Sequence, residues 1–327
     1  MTELVDPFDR QITYLRLSVT DRCNLRCTYC MAEEMEFLPK SSVLSLEEMQ
    51  RLSSCFVKLG VSKIRLTGGE PLVRKGILEL SSSISSLDGL NELVMTTNGV
   101  LLNKMAQPLA QAGVKRLNIS IDSLKPERFK AMTRVGELSQ VLNGIEAARD
   151  AGFEKIKLNA VVLAGENDDE VLDLAEYALE RELDISYIEE MPLGHISSHQ
   201  RQDTQHNSFD IREELQKRFE LTPSTLSTGG PSRYYQVAGS KSKIGFISPM
   251  SDNFCSSCNR IRLTTEGRLL LCLGNEHSVD LRAPLRDGAK DTEIKNIIRD
   301  AIGIKPERHY FDPEDTQILR FMSATGG

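Results

Sequence analysis

The chain has 327 residues, room for one large domain or one and a half ordinary ones, and its 40% apolar and 27% charged residues exclude a fibrous or disordered class. A formal net charge of −7 argues against bulk affinity for nucleic acid, and no run approaches the roughly 18 apolar residues that would suggest a membrane span. The opening text MTELVDPFDRQITYLRL carries acidic residues and no apolar stretch, so no signal peptide is expected. A cytoplasmic location is therefore expected, where the seven cysteines stay reduced and clustered thiols read first as metal ligands.

In chain order, the first predicted strand is TYLRLSV, where Tyr14, Arg16 and Ser18 alternate with Leu15, Leu17 and Val19. It runs into VTDRCNLRCTYC, which holds Cys23, Cys27 and Cys30. A helix follows over roughly 46–59, with Cys55 on its apolar side beside Leu52 and Leu59 as a buried structural thiol. The next strand, SKIRLTG, ends in the motif TGGEP, and a helix is expected over 77–87. NELVMTT, KRLNISI, KIKLNAVVL and DISYIEE read as four further strands, separated by helical patterns over 102–112, 127–150 with a break, and 169–182. Six strand–helix units in succession imply a parallel sheet with helices outside it.

Successive strand side chains point to opposite faces. The apolar set suits the helices. The polar set must share a wet or ligand-filled interior: Tyr14, Arg16, Ser18; Lys63, Arg65, Thr67; Arg116, Asn118, Ser120, Asp122; Lys155, Lys157, Asn159. A standard eight-stranded barrel fills its interior with branched apolar residues. The expected fold is thus α/β, an incomplete (βα)6 TIM-like barrel, wide and lined for a polar ligand. After Gly194 the polar text HISSHQRQDTQHNSFD reads as a linker or mobile loop. Its His195 and His199 form an H-x3-H pair without a carboxylate partner, which does not read as a metal site. The chain divides into 1–210, the barrel, and 211–327, a C-terminal α+β extension carrying the remaining cysteines.

Zinc wants four ligands and disulfides an even number, yet Cys23, Cys27 and Cys30 have no fourth cysteine nearby. A 4Fe-4S cube held by three thiolates leaves one iron open to a small molecule. The second set, Cys255, Cys258 and Cys272, again counts three; a zinc ribbon completed by His277 is the alternative to a second open cube. Arg260 and Arg262, at i and i+2 beside that set, share one face.

The unequal Cys spacing after the first strand, with Tyr29 before the last cysteine, resembles the radical S-adenosylmethionine superfamily. Together with NFCSSCNRIRLT, a CL thirteen residues on, and the FMSATGG end, the chain is similar to the GTP 3′,8-cyclase family from about residue 12 to the last residue. The resemblance implies two 4Fe-4S clusters facing each other across a positively lined channel. S-adenosylmethionine is bound at the first cluster by Tyr29, Gly69, Ser120 and Met191. GTP is bound by Arg16, Arg65, Thr96, Lys157, Arg260, Ile261 and Arg262, with Lys63 and Arg268 as further contributors. Arg260, Arg262, Gly326 and Gly327 are implied to act on the reacting nucleotide. Its reaction would be the first step of molybdenum cofactor biosynthesis: a 5′-deoxyadenosyl radical removes the 3′ hydrogen of GTP, and the ribose radical adds to C8, giving 3′,8-cyclo-7,8-dihydroguanosine 5′-triphosphate.

An electron donor of unknown identity, a downstream pterin-forming enzyme and a homodimer complete the implied partners. One departure stands out: where the family often carries arginine two positions before IE, this chain has Ser186. Two other readings stay open, a peptide-modifying radical enzyme with an auxiliary cluster and a non-enzymatic iron or zinc protein.

Overall fold

A computed structural model describes residues 3–194, 196, 199, 201–312 and 318–326. All six expected barrel strands form: β1 (Tyr14–Ser18), β2 (Lys63–Thr67), β3 (Glu92–Thr97), β4 (Arg116–Ser120), β5 (Lys155–Val162) and β6 (Asp184–Glu189). The intervening helices are α1 (Leu46–Lys58), α2 (Ile77–Ser85), α3 (Leu102–Gln111), the pair α4 (Pro126–Thr133) and α5 (Leu138–Asp150), and α6 (Val171–Glu180). The α1 start is fixed locally. The Ser45 side chain accepts from the Glu48 amide while the Glu48 carboxylate accepts from the Ser45 amide, a reciprocal cap. Cys55 is buried in the core with Leu52 and Leu59, as expected.

The second region supplies β7 (Leu221–Pro223), β8 (Arg233–Val237), β9 (Lys243–Ile247), β10 (Arg260–Leu263), β11 (Arg268–Leu270) and β12 (Ser278–Asp280). These strands join the barrel sheet. Among the described residues, twelve strands form one sheet in the order β12-β11-β10-β1-β2-β3-β4-β5-β6-β9-β8-β7. Pairing is parallel from β10 through β6 to β9, and antiparallel only in the outer hairpin strands. The sheet ends on edge strands, so the barrel is incomplete, and the C-terminal region extends it on both sides.

The segment after Gly194 differs from a plain linker. His199 is buried, its Nε2 lies 2.6 Å from Glu190 Oε1, and the Thr204 hydroxyl donates to Glu190 Oε2 at 2.9 Å. Polar composition concealed this, because the buried groups satisfy one another. His195 lies outside the described residues. No helix among the described residues is long and apolar enough to cross a membrane.

Candidate active site

Register explains why charge collects inside the sheet. Residues side by side on parallel neighbours face the same way, with strands about 4.8 Å apart. Arg16 on β1 pairs in register with Arg65 on β2 and with Arg262 on β10. One level below, Tyr14 stands between Lys63 and Arg260. Three guanidiniums in a row repel one another unless an anion or an acceptor sits among them. These side chains, with Thr96, Asn118, Lys157 and Asn159, line a cavity of about 510 Å³. That volume suits a ligand larger than a metabolite fragment.

Neighbours position each cation. The Arg65 guanidinium donates to Thr96 Oγ1 at 3.0 Å, to the Met95 carbonyl, and through Nε to the Tyr14 hydroxyl. Lys63 pairs with Glu92 at 2.7 Å and donates to the Thr228 carbonyl. Lys157 donates to the Tyr234 hydroxyl at 3.3 Å. Burial lowers the Arg262 pKa well below its usual value, with Arg16 and Arg260 adding repulsion. Arg260 stacks over the Phe254 ring at 4.6 Å, and its guanidinium lies 3.9 Å from Cys258 Sγ.

The second cysteine set forms part of the cavity wall, where Cys255, Cys258 and Cys272 appear beside Arg260, Arg262 and Met191. All three are free thiols. Lys305 supplies a test of what they hold. Only 3% exposed, it donates to the Arg260 and Leu271 carbonyls, and among the described residues no carboxylate forms an ion pair with it. A buried ammonium without a counter-ion is costly. The anions it can answer are the thiolates of Cys258 and Cys272: burial raises both thiols, but Arg260 and Lys305 together bring Cys258 below its usual value, and Lys305 offsets part of the rise at Cys272. This donor set fits a thiolate-ligated cluster. His277, the alternative fourth zinc ligand, is exposed. Among the described residues no group of three or more His, Cys, Asp or Glu is arranged to hold a single metal ion.

The first set occupies the loop after β1. Burial pushes the Cys23 thiol up to about 11 and Cys30 up to about 12, with Cys23 acting on Cys30 as well. Three half-buried free thiols, whose thiolate forms would repel one another, give up their protons most readily to a metal, which fits a cluster ligated by sulfur alone. Gly69 is packed so closely on this loop that a Cβ would collide with the Arg22 carbonyl. The Gly69 and Glu70 amides each donate at 2.8 Å, to Thr20 and Arg22 carbonyls. The Tyr29 hydroxyl donates to Asp122 Oδ2 at 2.7 Å. Ser120 ends β4, half-buried.

A short helix, Met322–Thr325, separates this loop from the cavity. Met322 lines the cavity while the Ser323 amide bonds Cys30. Arg262 donates to the Thr325 and Gly326 carbonyls. Gly326 has φ +82°, and a Cβ there would run into Thr67 Oγ1. The tail is therefore seated inside, between Cys30 and the cavity wall. Gly327 lies outside the described residues.

Two expected contributors stand elsewhere. Arg268 is not on the cavity wall and donates to Ser278 Oγ at 2.7 Å. Ile261 reaches the wall, but its side chain packs in the core, leaving main chain to offer a ligand. Ser186 is buried, 2.8 Å from Ser232 Oγ. Sequence reasoning missed Tyr234 and Lys305, which no local pattern marks. It noticed Tyr14 as inward-facing without giving it a role.

Comparison with known proteins agrees with this geometry. The Radical SAM superfamily model matches residues 17–178, and the Molybdenum Cofactor Synthesis C model matches residues 183–311. A Pseudomonas entomophila GTP 3′,8-cyclase is 59% identical, covering 99% of this chain and 98% of its own. The Pseudomonas aeruginosa GTP 3′,8-cyclase 2 is 58% identical, covering 100% and 99%. Among solved structures, Streptococcus suis SuiB bound to S-adenosylmethionine matches with a TM-score of 0.63 at 15% identity, covering 88% of this chain and 69% of its own, a likeness of fold. Full-length identity at this level leaves one assignment: the chain belongs to the GTP 3′,8-cyclase family of the radical S-adenosylmethionine superfamily.

Proposed function

We propose that this protein converts GTP to 3′,8-cyclo-7,8-dihydroguanosine 5′-triphosphate, the first step of molybdenum cofactor biosynthesis. The observation that carries the reading is a cavity with cations from β1, β2, β5 and β10 whose wall includes the free thiols Cys255, Cys258 and Cys272, while Cys23, Cys27 and Cys30 lie behind the tail helix that bonds Cys30 through Ser323. Cys23, Cys27 and Cys30 would hold one 4Fe-4S cluster, and Cys255, Cys258 and Cys272 the other. When bound, the first cluster and S-adenosylmethionine supply the radical that takes a hydrogen from the ribose.

The chain's own residues bind and orient. Arg16, Lys63, Arg65 and Lys157 hold the triphosphate, with Thr96 fixing the Arg65 fork. Lysine and arginine inside a closed wall act at low dielectric, so a protein of net −7 can hold a polyanion. Arg260 and Arg262 face the nucleotide from β10, the strand beside β1, and the Gly326 tail keeps water from the reacting ribose. Tyr29, Gly69, Ser120 and Met191 would contact S-adenosylmethionine. No general acid–base pair is required. A cytoplasmic location, a pterin-forming consumer of the product, and the division into 1–210 and 211–327 belong to the same proposal.

The test is an anaerobic assay of reconstituted protein with dithionite, S-adenosylmethionine and GTP. 5′-Deoxyadenosine and a cyclised nucleotide are expected together, and ATP in place of GTP should give no cyclised product. Cleavage with a peptide but not with GTP would refute the reading.

A further inference from the structure

Tyr14 is 2% exposed, yet it lies on the wall of the cation-lined cavity. Its hydroxyl accepts from Arg65 Nε and from Arg16, and the Lys63 ammonium sits 5.1 Å from its ring centroid. In register it stands between Lys63 and Arg260, one level below the row of Arg262, Arg16 and Arg65. The nearby carboxylate, Glu92 on β3, is already engaged by Lys63 and Arg116. A buried phenol is therefore the group against which two guanidiniums are aligned.

We propose that the Tyr14 hydroxyl is a stand-in for the triphosphate: in the nucleotide-free protein it holds Arg65 and Arg16 in their binding positions, and nucleotide binding returns it to a neutral phenol with uptake of one proton from solvent. The proposal rests on the GTP reading above and adds a positioning residue to it.

Electrostatics supports the handover. Burial alone would raise the phenol pKa, but Arg65, Arg16 and Lys63, with the Arg65 hydrogen bond, outweigh it and bring the group to about 7. Tyr14 in turn favours the charged form of Arg16, against burial and the repulsion of Arg65 and Arg260. A bound triphosphate would bring several negative charges among the same cations, removing the reason for the phenolate to persist. The step balances as phenolate plus one proton to phenol, with no redox change. Above pH 7.5 the terminal phosphate, whose second pKa is about 6, is already ionised and takes up no proton itself.

Magnesium–GTP is titrated calorimetrically into anaerobic holoprotein, in two buffers of different ionisation enthalpy, between pH 7.5 and 8.5. Wild type should take up close to one proton per nucleotide, and its Kd should weaken by up to about tenfold over that pH unit, the limit for one linked proton. Tyr14→Phe, which keeps the ring, should show no uptake and a Kd constant within about twofold. Lys63, whose pKa burial lowers, and Tyr234, whose pKa Lys157 lowers against burial, are competing sources on the same wall, and Tyr234→Phe should retain the uptake. Lys63→Arg has no neutral form at these pH values and should retain the uptake. Uptake surviving in Tyr14→Phe, or vanishing in Lys63→Arg or Tyr234→Phe, would overturn the proposal. So would wild-type binding without uptake, a result that leaves the GTP reading intact and needs no variant to fold. Wild type that binds no GTP at either pH would overturn both.

Discussion

Lys305 shows how one side chain can report on a group it does not itself bind. Its ammonium is held by the Arg260 and Leu271 carbonyls, which flank Cys258 and Cys272 in sequence. Removing the charge should leave the thiolates harder to form. Lys305→Met is therefore expected to lower the iron retained after anaerobic reconstitution from about eight per chain toward about four, with the loss at the second site. Iron analysis beside the variants Cys272→Ala and Cys30→Ala assigns the loss; full retention of iron refutes the role. The cysteines themselves were legible because their spacing is local. Lys305 was not, because its distance from Cys258 in sequence hides a contact made only when the chain returns to β10. Tyr14 falls between these cases: alternation pointed it inward, but only register shows which cations surround it.

At the level of elements, period-two alternation was enough to locate β1 to β6 and, on β1, β2, β4 and β5, to name most of the residues that line the cavity, although Ser18, Thr67, Ser120 and Asp122, expected inside, are not on its wall. It worked because one face of each strand packs on helices, so the polar face has nowhere else to go. The placement of β10 beside β1 and of β9 beside β6 was illegible. Those pairings join distant parts of the chain, and short strands such as Arg260–Leu263 have little pattern of their own. Arg10 fastens one of these long-range unions. It pairs with Asp6 at 2.6 Å and donates to the carbonyls of Cys255, Pro306 and Glu307, binding the N-terminal segment to the second cysteine loop. Arg10→Ala strips three carbonyls of a donor and leaves Asp6 buried without its partner. Loss of roughly 3 kcal/mol is expected, read by chemical denaturation. A loss under about 1 kcal/mol would mean that the segment is held by other contacts.

The whole molecule is organised around a sheet whose two barrel edges are covered by the same C-terminal region. β10 pairs along β1, and β9 pairs along β6. Residues 1–210 alone would expose both edges and the apolar ground on which Ile261 and Phe246 pack. That fragment should aggregate, eluting in the void volume on size exclusion, whereas a self-sufficient barrel would elute as a monomer. The same wiring dictates an order of events during synthesis. At roughly 5–20 residues per second, the ribosome delivers the loop of Cys23 to Cys30 many seconds before β10 brings Arg260 and Arg262. For that interval the nascent chain carries a complete first thiol set and an unpaired β1 edge, joined by an unpaired β6 edge until β9 emerges. A cluster built at the first site during synthesis would thus be held by a chain whose β1 edge still lacks its partner.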